Sequence, residues 1–353
     1  MKLDKSKILI TGVAGFIGSN LAYKLLKDIP SVKILGVDNM NKYYDVAIKE
    51  YRLKKIHDVQ GDFEFIKSDI SDKLQLFEIF AKFKPDIVVN LAAQAGVRYS
   101  IDHPDQYIQS NIVGFFNILE ACRQSYVENR GVKHLVYASS SSVYGANSKV
   151  PYSTQDKVDS PVSLYAATKK SDELMAHAYS KLYNIPCTGL RFFTVYGPAG
   201  RPDMAYFGFT DKLRAGEKIK IFNYGKCKRD FTYIDDIVEG VMRVLPEAPK
   251  RMNGEDGLPI PPYEIYNIGN NRPESLLEFV EILKSTLIDE GILPKNYDFD
   301  KQIEFVPMQP GDVAVTYADI DPFVEKFGYK PETSLKEGIK AFVKWYKEFY
   351  KLK

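Results

Sequence analysis

Cysteine is scarce in this chain, with three residues among 353. An odd number of cysteines argues against a framework of disulfides. The spacing of Cys122, Cys187 and Cys227 also matches no metal-binding or redox motif. We therefore expect free thiols, no bound metal and a reducing cytoplasm as the location of the protein.

A long apolar run is also missing, and neither sign of charge is in excess. The 48 Lys and Arg against 46 Asp and Glu give a net charge of +2, so nothing points to nucleic acid or an anionic membrane as a partner. No run of about 20 apolar residues predicts a membrane span. Residues 8–26 superficially resemble a signal peptide, but Gly12, Gly15 and Gly18 interrupt them and no cleavage pattern follows. We expect this stretch to belong to the fold.

The first half of the chain alternates short apolar stretches with longer stretches of helical periodicity. Short strands separated by helices predict right-handed crossovers and a buried parallel sheet. The predicted fold class is therefore α/β, a doubly wound parallel sheet of the Rossmann type. The predicted strands are residues 7–11, 32–37, 63–67, 86–91, 133–139 and 185–192, and the helices include residues 104–126 and 162–183.

After residue 192 the pattern changes to shorter elements and loops. We predict a second, smaller α/β lobe that is interleaved with the first and binds the substrate. The Rossmann domain is placed at residues 1–192, with 235–269 returning to it, and the second lobe at 193–234 and 270–353. Within this half we predict a loop at 196–203, strands at 219–222 and 263–268, a surface excursion at 246–262, and helices at 274–287 and 335–350.

The first predicted strand runs directly into a glycine-rich turn that is typical of dinucleotide binding. Gly12 permits the tight turn, Gly15 lets the backbone approach a pyrophosphate, and Gly18 lets the following helix pack closely on the sheet. The N-terminus of that helix offers its N–H groups to the phosphates. Plain helix–sheet packing is the alternative for a lone triplet, but the strand before it and the helix after it favour a cofactor site.

Asp38 ends the second predicted strand, where it can accept hydrogen bonds from the adenosine ribose hydroxyls. Its charge would repel a 2′-phosphate, so NAD is favoured over NADP as the cofactor. The alternative is that Asp38 is an exposed aspartate in a turn and binds no cofactor. The end of the third strand would flank the adenine, and the end of the fourth would let the dinucleotide lie against the sheet edge. A plain strand end with small packing residues is the alternative for both. The other predicted cofactor-binding residues are Phe16, Ile17, Asn39, Asp69, Ile70, Leu91, Ala92 and Ala93.

A tyrosine and a lysine lie one helical turn apart in the second long predicted helix. Tyr165 and Lys169 at spacing i, i+4 share one face of the helix. A nearby ammonium and a positively charged nicotinamide ring would favour the phenolate, which can then act as a general base. On its own, a tyrosine and a lysine at this spacing often occur on a helix by chance. A run of serines, residues 139–142, ends the fifth strand at the edge where such sheets bind ligands, so a serine hydroxyl can bond the reacting oxygen there.

These motifs, in this order, resemble the extended short-chain dehydrogenases/reductases over essentially the whole chain. More narrowly, the sequence is similar to bacterial and archaeal UDP-glucuronate 4-epimerases. The resemblance implies NAD as cofactor, Ser140, Tyr165 and Lys169 as the catalytic triad, Asn111 as the structural asparagine of the cofactor site, and a homodimer formed through the helices at 104–126 and 162–183. The narrower resemblance is carried by residues 37–41, 43–46, 93–100, 191–198 and 200–205.

The resemblance also orders the candidate reactions. Related sugar 4,6-dehydratases use an Asp-Glu pair where this chain has Ser141 and Ser142, and UDP-glucuronate decarboxylases usually carry glutamate at the second position. UDP-glucose 4-epimerases usually have asparagine at the position of Thr194. The resemblance therefore implies reversible C4 epimerisation of UDP-glucuronate to UDP-galacturonate through a 4-keto intermediate. The main alternative is a 4-epimerase that acts on UDP-glucose or a UDP-N-acetylhexosamine, and a UDP-glucuronate decarboxylase is less favoured. An alternative outside the enzymes is a protein that binds the dinucleotide as a sensor without catalysis.

A 4-keto uronic acid is a β-keto acid and can lose carbon dioxide, so the enzyme must hold the carboxylate out of alignment with the carbonyl. The resemblance assigns that task to Ser141, Ser142, Thr194 and Arg201, of which Arg201 can form a charge-assisted pair. A solvated loop cation is the alternative for Arg201. The remaining substrate-binding residues that the resemblance implies are Arg98, Phe222, Arg229, Arg272 and Asp312.

Overall fold

A seven-stranded sheet forms the centre of the computed structural model, which describes residues 1–127, 131–308 and 315–352. Its strands run in the order β3-β2-β1-β4-β5-β6-β12, and every neighbouring pair is parallel. The first six strands have the order of a dinucleotide-binding Rossmann sheet. The bounds are β1 Lys7–Thr11, β2 Lys33–Asp38, β3 Asp62–Lys67, β4 Ile87–Asn90, β5 His134–Ser140, β6 Cys187–Phe192 and β12 Tyr263–Ile268.

Helices cover both faces of this sheet. Side chains alternate along a strand, so Ile8 and Ile10 of β1 belong to one core cluster and Leu9 to another. The first cluster packs under α1 and α9, and the second packs under α3, α6 and α7. The bounds are α1 Phe16–Asp28, α2 Val46–His57, α3 Lys73–Phe83, α4 Tyr99–Asp102, α5 Pro104–Tyr107, α6 Gly114–Val127, α7 Leu164–Tyr183, α9 Ile234–Val244 and α11 Asp321–Phe327.

The second lobe is built around β9, which pairs with β13 in antiparallel and with β7 and β15 in parallel orientation. Phe207, Phe279 and Phe342 fill its separate core. The bounds are β7 Thr194–Tyr196, β8 Ile219–Ile221, β9 Lys228–Tyr233, β13 Pro273–Ser275, β14 Ile303–Phe305, β15 Val315–Thr316, α8 Ala205–Arg214, α10 Leu276–Asp289 and α12 Leu335–Phe349, with a surface hairpin of β10 Met252–Asn253 and β11 Pro259–Ile260.

The predicted α/β fold class is confirmed by the seven-stranded parallel sheet with helices on both faces, in which β12 lies beside β6. Most predicted elements differ from the observed ones by one or two residues at an end, and two predicted helices also differ in kind. The helix expected at 104–126 is divided into α5, a π-helical turn at Ile108–Val113, and α6. The helix expected to begin at residue 274 begins at Leu276, because Pro273–Ser275 pairs with β9 instead.

Candidate functional site

A cavity of about 1030 Å³ lies at the carboxyl ends of the sheet strands, between the sheet and the second lobe. This is the edge at which open α/β sheets bind ligands. Predicted cofactor and substrate residues line the same cavity. They are Gly12, Gly15, Phe16, Ile17, Gly18, Asp38, Asn39, Asp69, Ile70, Leu91, Ala92, Ala93, Arg98, Ser140, Ser141, Ser142, Tyr165, Lys169, Thr194, Arg201, Phe222 and Arg229.

The glycine turn after β1 is held tightly against the sheet. Gly12 has a φ of +70°, and a Cβ there would lie 2.7 Å from the backbone nitrogen of Ala92. A Cβ on Gly18 would collide with the carbonyl of Gly12. No described side chain caps the N-terminus of α1, where Gly15 stands as the N-cap. The first N–H groups of α1 therefore face the cavity as a ready site for an anion such as a pyrophosphate.

Asp38 lines the cavity at the end of β2, where the sequence predicts the adenosine. Its Oδ2 accepts a hydrogen bond from the backbone N–H of Ala14 at 3.1 Å, and its Oδ1 accepts one from Met40 at 2.8 Å. The Lys49 ammonium lies 4.0 Å from Oδ1 and donates to the Asn41 side chain at 2.9 Å. Burial lowers the pKa of Lys49, and Asp38 opposes that shift. A positioned carboxylate is the acceptor that ribose hydroxyls require.

Asn39 and Asp69 connect the ends of β2 and β3. The Asn39 Nδ2 donates to Asp69 Oδ2 at 2.8 Å, and the Ser71 N–H donates to Asp69 Oδ1 at 2.8 Å. Burial works to raise the pKa of Asp69, but these hydrogen bonds from Asn39 and Ser71 leave it below its usual value. Asp69 therefore stays ionised beside the predicted adenine position.

Asn111 lies behind the cavity instead of lining it. Its side chain sits in the π-helical turn, almost completely buried, accepts from Gln94 N–H at 2.8 Å and donates to Gln94 O and Thr168 Oγ1, each at 3.0 Å. These bonds join the loop after β4 to α7. Asn111 thus positions the wall of the cofactor site, and the structure gives it no direct place in the cavity.

Ser140, Tyr165 and Lys169 line the same cavity from β5 and α7. Ser163 caps α7 by accepting a hydrogen bond from Ala166 N–H at 3.1 Å, so the helix begins one residue before Tyr165. Lys169 is buried, and its ammonium donates to the carbonyl of Ala138 at 3.0 Å. This anchors the lysine to the end of β5, where Ser140 stands.

The serine run forms a compact turn at the end of β5. Ser140 Oγ accepts hydrogen bonds from Ser142 N–H at 3.2 Å and from Ser142 Oγ at 2.9 Å. These bonds close the short helical turn Ser141–Tyr144 that follows the strand. The Ser140 oxygen therefore accepts both hydrogen bonds from Ser142, and its O–H proton remains available to donate to another group.

A buried ion pair that the sequence reading missed holds α7 against the sheet. Arg191 of β6 donates through Nε and Nη2 to the two carboxylate oxygens of Glu173 at 2.8 and 2.9 Å. Ser139 Oγ also donates to Glu173 at 2.7 Å. Burial works to raise the pKa of Glu173, but Arg191 holds it below its usual value. The helix that carries Tyr165 is thereby tied to β5 and β6.

Arg201 enters the cavity already paired. Its Nε and Nη2 donate to the two oxygens of Asp203 at 3.0 and 2.5 Å. Tyr43, on the loop after β2, donates its hydroxyl to Asp203 at 3.2 Å. Burial and the Asp203 carboxylate raise the pKa of Tyr43. Asp203 thus connects a predicted substrate residue with the cofactor half of the cavity.

A buried arginine joins the glycine turn to the loop that bears Arg201. Arg52 donates to the carbonyl of Ala14 at 3.0 Å, to that of Ala199 at 2.7 Å and to that of Gly200 at 3.0 Å. Its guanidinium therefore fixes the two halves of the cavity relative to each other. Its position on α2, far along the chain from both loops, left no local signal in the sequence.

The second lobe and the loop after β4 together form a cationic and aromatic end of the cavity. The Arg98 guanidinium lies 5.0 Å from the centre of the Phe222 ring, within the range of a cation–π contact. Arg229, Lys212 and Lys220 also line this end. The two lysines were not predicted from the sequence. Their charges suit a diphosphate.

Two predicted substrate residues are not part of this lining. Arg272 is exposed at the surface before β13 and does not line the cavity. Asp312 lies outside the described residues.

Within the part of the chain that the structure describes, no group of three or more His, Cys, Asp and Glu side chains could hold a metal ion. Nor does any helix there combine the length and apolarity needed to cross a membrane.

Known proteins resemble this chain along nearly its whole length. The family described as GDP-mannose 4,6 dehydratase matches residues 9–342. Protein CapI of Staphylococcus aureus is 52% identical, with 98% of this chain and 99% of that protein covered. The probable UDP-glucuronate 4-epimerase of Rhizobium meliloti is 41% identical, with 98% of each chain covered.

Solved structures extend the similarity to the three-dimensional arrangement of both lobes. The UDP-glucuronic acid 4-epimerase of Bacillus cereus, in complex with UDP-glucuronic acid and NAD, matches with a TM-score of 0.82 and 32% identity over 98% of this chain and 100% of that one. The UDP-glucose 4-epimerase of Thermotoga maritima, with UDP-glucose, matches with a TM-score of 0.79 and 28% identity over 98% and 99%.

Proposed function

Because the chain belongs to the GDP-mannose 4,6 dehydratase family of extended short-chain dehydrogenases/reductases, we propose that it is an NAD-dependent UDP-sugar 4-epimerase that interconverts UDP-glucuronate and UDP-galacturonate. The family resemblance drawn from the sequence is confirmed. The observation that carries the proposal is a single cavity lined by the glycine turn, Asp38, Tyr165, Lys169 and Arg201. A non-catalytic dinucleotide sensor would need none of the last three.

In this proposal the residues of α7 and β5 handle the proton at the sugar C4 hydroxyl. Tyr165 accepts that proton as a phenolate, which the Lys169 ammonium stabilises. Ser140 donates a hydrogen bond to the same oxygen as it becomes a carbonyl. NAD, when bound beside these residues, would supply the hydride chemistry at the sugar C4. The glycine turn and Asp38 fit a dinucleotide, since they offer N–H groups to its phosphates and an acceptor to its ribose.

Arg201 and the hydroxyls around it support a uronic acid as the substrate. Arg201, Ser141, Ser142 and Thr194 line the cavity together. They can hold a carboxylate by hydrogen bonds and keep its C–C bond out of line with the 4-keto group, which prevents decarboxylation. No carboxylic acid occupies positions 141 and 142 to catalyse dehydration.

A neutral UDP-hexose or UDP-N-acetylhexosamine is the second candidate substrate. The observation that favours it is the pairing of Arg201 with Asp203, because the carboxylate offsets the positive charge that would select an acid. In that case the Arg201 guanidinium would donate hydrogen bonds to the sugar hydroxyls as part of an ion pair with no net charge.

The proposal is tested by turnover of UDP-glucuronate, UDP-galacturonate, UDP-glucose and UDP-N-acetylglucosamine, with products identified by sugar stereochemistry in NMR. We expect kcat/KM for the uronates to exceed that for the neutral sugars by about tenfold or more, the size of one charge-assisted hydrogen bond. Tyr165→Phe should lower kcat by about 10²- to 10⁴-fold. Preference for neutral sugars, a decarboxylated product or full activity of Tyr165→Phe would each contradict the proposal.

We also infer a cytoplasmic homodimer. Support for the location comes from Cys122, Cys187 and Cys227, which are buried free thiols. Support for the dimer comes from the outer face of α7, where Leu174 and Leu182 are 59% and 71% exposed. Phe116 of α6, also partly exposed, packs edge-on against Tyr179 of α7 beside this face. Apolar helix faces of this kind mark interaction surfaces.

A further inference from the structure

A second acidic residue of α7 lies directly against the proposed catalytic lysine. Asp172 is 1% exposed, and its Oδ2 accepts a hydrogen bond from the Lys169 ammonium at 3.0 Å. Its other oxygen, Oδ1, has no hydrogen-bond partner among the described residues. Nothing in the proposed proton transfer uses this carboxylate.

Stability does not account for this pair. Removing two charges from water costs several kcal/mol for each ion, and a buried ion pair is often no more stabilising than uncharged residues of the same volume. Asparagine has nearly the same shape as aspartate, but it would leave the buried Lys169 ammonium without a counter-charge. The charge of Asp172 therefore calls for an explanation in terms of Lys169.

The other charged groups nearby are already engaged. Glu173, on the same helix, is held by Arg191 of β6 and Ser139 of β5, and it also accepts from Lys170. The second described partner of the Lys169 ammonium is a neutral carbonyl, that of Ala138 on β5. Asp172 is thus the counter-ion of Lys169.

We propose that Asp172 is a positioning residue that offsets the charge of Lys169 and so sets the balance between the oxidised and reduced forms of the bound nicotinamide. The inference rests on the proposed function. In that reaction the sugar C4–H bond breaks, hydride reduces the positively charged nicotinamide ring to its neutral form, and the hydroxyl proton passes to Tyr165.

The direction of the effect follows from electrostatics. A fixed positive charge beside the nicotinamide favours the neutral, reduced ring, and a fixed negative charge favours the oxidised ring. Lys169 alone would hold the cofactor in the reduced form after a turnover in which the keto sugar escaped. Asp172 opposes this and keeps the oxidised form available for the next substrate.

The charge of Asp172 also depends on pH. Burial raises its pKa to about 7, Lys169 opposes that shift, and the neighbouring Glu173 adds to it. The carboxylate is therefore present in mild alkali and is lost as the pH falls through neutrality. The preference for the oxidised cofactor should weaken over the same range.

The test measures which form of the cofactor the protein holds. Full-length protein is equilibrated with mixtures of NAD+ and NADH and rapidly desalted, and the bound ratio is measured by the near-ultraviolet absorbance of the reduced form. Asp172→Asn should shift the bound ratio toward NADH by about tenfold, as expected for a unit charge several ångströms away at intermediate dielectric. The wild-type ratio should also move toward NADH between about pH 8 and pH 5, whereas that of Asp172→Asn should stay constant.

Asp211→Asn is the matched control, because Asp211 is a partly buried acid of α8 that is hydrogen-bonded to Tyr346 and does not line the cavity. Its bound ratio should equal that of the wild type. Asp172→Ser repeats the measurement should Asp172→Asn fold poorly. Equal ratios in wild type and both Asp172 variants would overturn the inference, as would failure of the wild type to bind either form. If the bound ratio shifts in Asp172→Asn but the protein turns over no uronate, the inference about Asp172 stands and only the proposed substrate is wrong.

Discussion

At the scale of single residues, the Arg201 guanidinium is oriented before any substrate arrives. Arginine has five N–H donors, and Asp203 accepts two of them, one from Nε and one from Nη2. One N–H of Nη1 and the second N–H of Nη2 form the outer end of the guanidinium, with the geometry that suits a second carboxylate. Because Tyr43 also bonds Asp203, this orientation is tied to the loop after β2.

Arg201→Met should therefore separate acidic from neutral substrates. Loss of a charge-assisted pair should lower kcat/KM for UDP-glucuronate by about tenfold to a hundredfold, and that for UDP-glucose by less than about threefold. Steady-state kinetics on both substrates check this. Arg214→Met, which removes a guanidinium that packs on Tyr346 and Tyr350 outside the cavity, is the control. Equal losses on the two substrates would argue against a carboxylate at Arg201.

Sequence reasoning reached the residues that lie in short motifs and missed those that only the fold unites. Tyr165 and Lys169 are four positions apart on one helix, so their common face is predictable. Tyr43 and Asp203 are 160 positions apart, and no local pattern connects them. Arg52 is a similar case, since its partners at Ala14 and Ala199 come from two different loops.

At the scale of elements, α7 needs anchoring because it carries both Tyr165 and Lys169. The Glu173–Arg191 pair supplies an anchor to β6, and the Asn111 side chain supplies another to the loop after β4 through Gln94 and Thr168. Both anchors are buried. A buried anchor is strong only while both partners remain, because a lone charge left behind is uncompensated.

Arg191→Met should consequently reduce the free energy of unfolding by about 3–5 kcal/mol, since it strands the Glu173 carboxylate. Urea denaturation measures this. The double variant Arg191→Met/Glu173→Gln should recover part of the loss. Because the pKa of Glu173 is lowered in the fold, the stability that the Glu173 carboxylate contributes is fully present above the ordinary glutamate pKa and is lost as the pH falls through the lower pKa of the folded state.

The control for this prediction is the exposed pair of Lys54 and Asp58, whose side chains are 75% and 63% exposed. Lys54→Met should change the free energy of unfolding by less than about 1 kcal/mol. A similarly small effect of Arg191→Met would mean that the buried pair does not hold α7 in place.

Helical periodicity predicted a single helix over residues 104–126, but the chain there forms a π-helical turn at Ile108–Val113. The turn places Asn111 where its amide meets both Gln94 and Thr168. Periodicity registers which side chains are apolar, and it carries no information on such tertiary hydrogen bonds. For the same reason, periodicity predicts a helix that begins at residue 274, whereas Pro273–Ser275 forms a strand that pairs with β9.

At the scale of the whole molecule, α7 has one face for the proposed chemistry and an exposed apolar face that we propose contacts a second copy of the chain. Asp172 and Glu173 point inward and are buried, whereas Leu174, Ala178 and Leu182 recur every four residues on the exposed side. An isologous contact would place the same face of two copies together. Assembly would then stiffen the helix that carries Tyr165 without covering the cavity.

Leu174→Glu should therefore convert the protein to a monomer, because a charge on this face would be buried against the same charge of the second copy. Light scattering after size-exclusion chromatography measures the mass. Leu277→Glu on α10 is the control, since it adds the same charge to a side chain that is 44% exposed in the second lobe. A monomeric wild type, or a Leu174→Glu variant that stays dimeric, would place the interface elsewhere or remove it. If the helix is stiffened as argued, the monomer should also show a lower kcat at unchanged NAD occupancy.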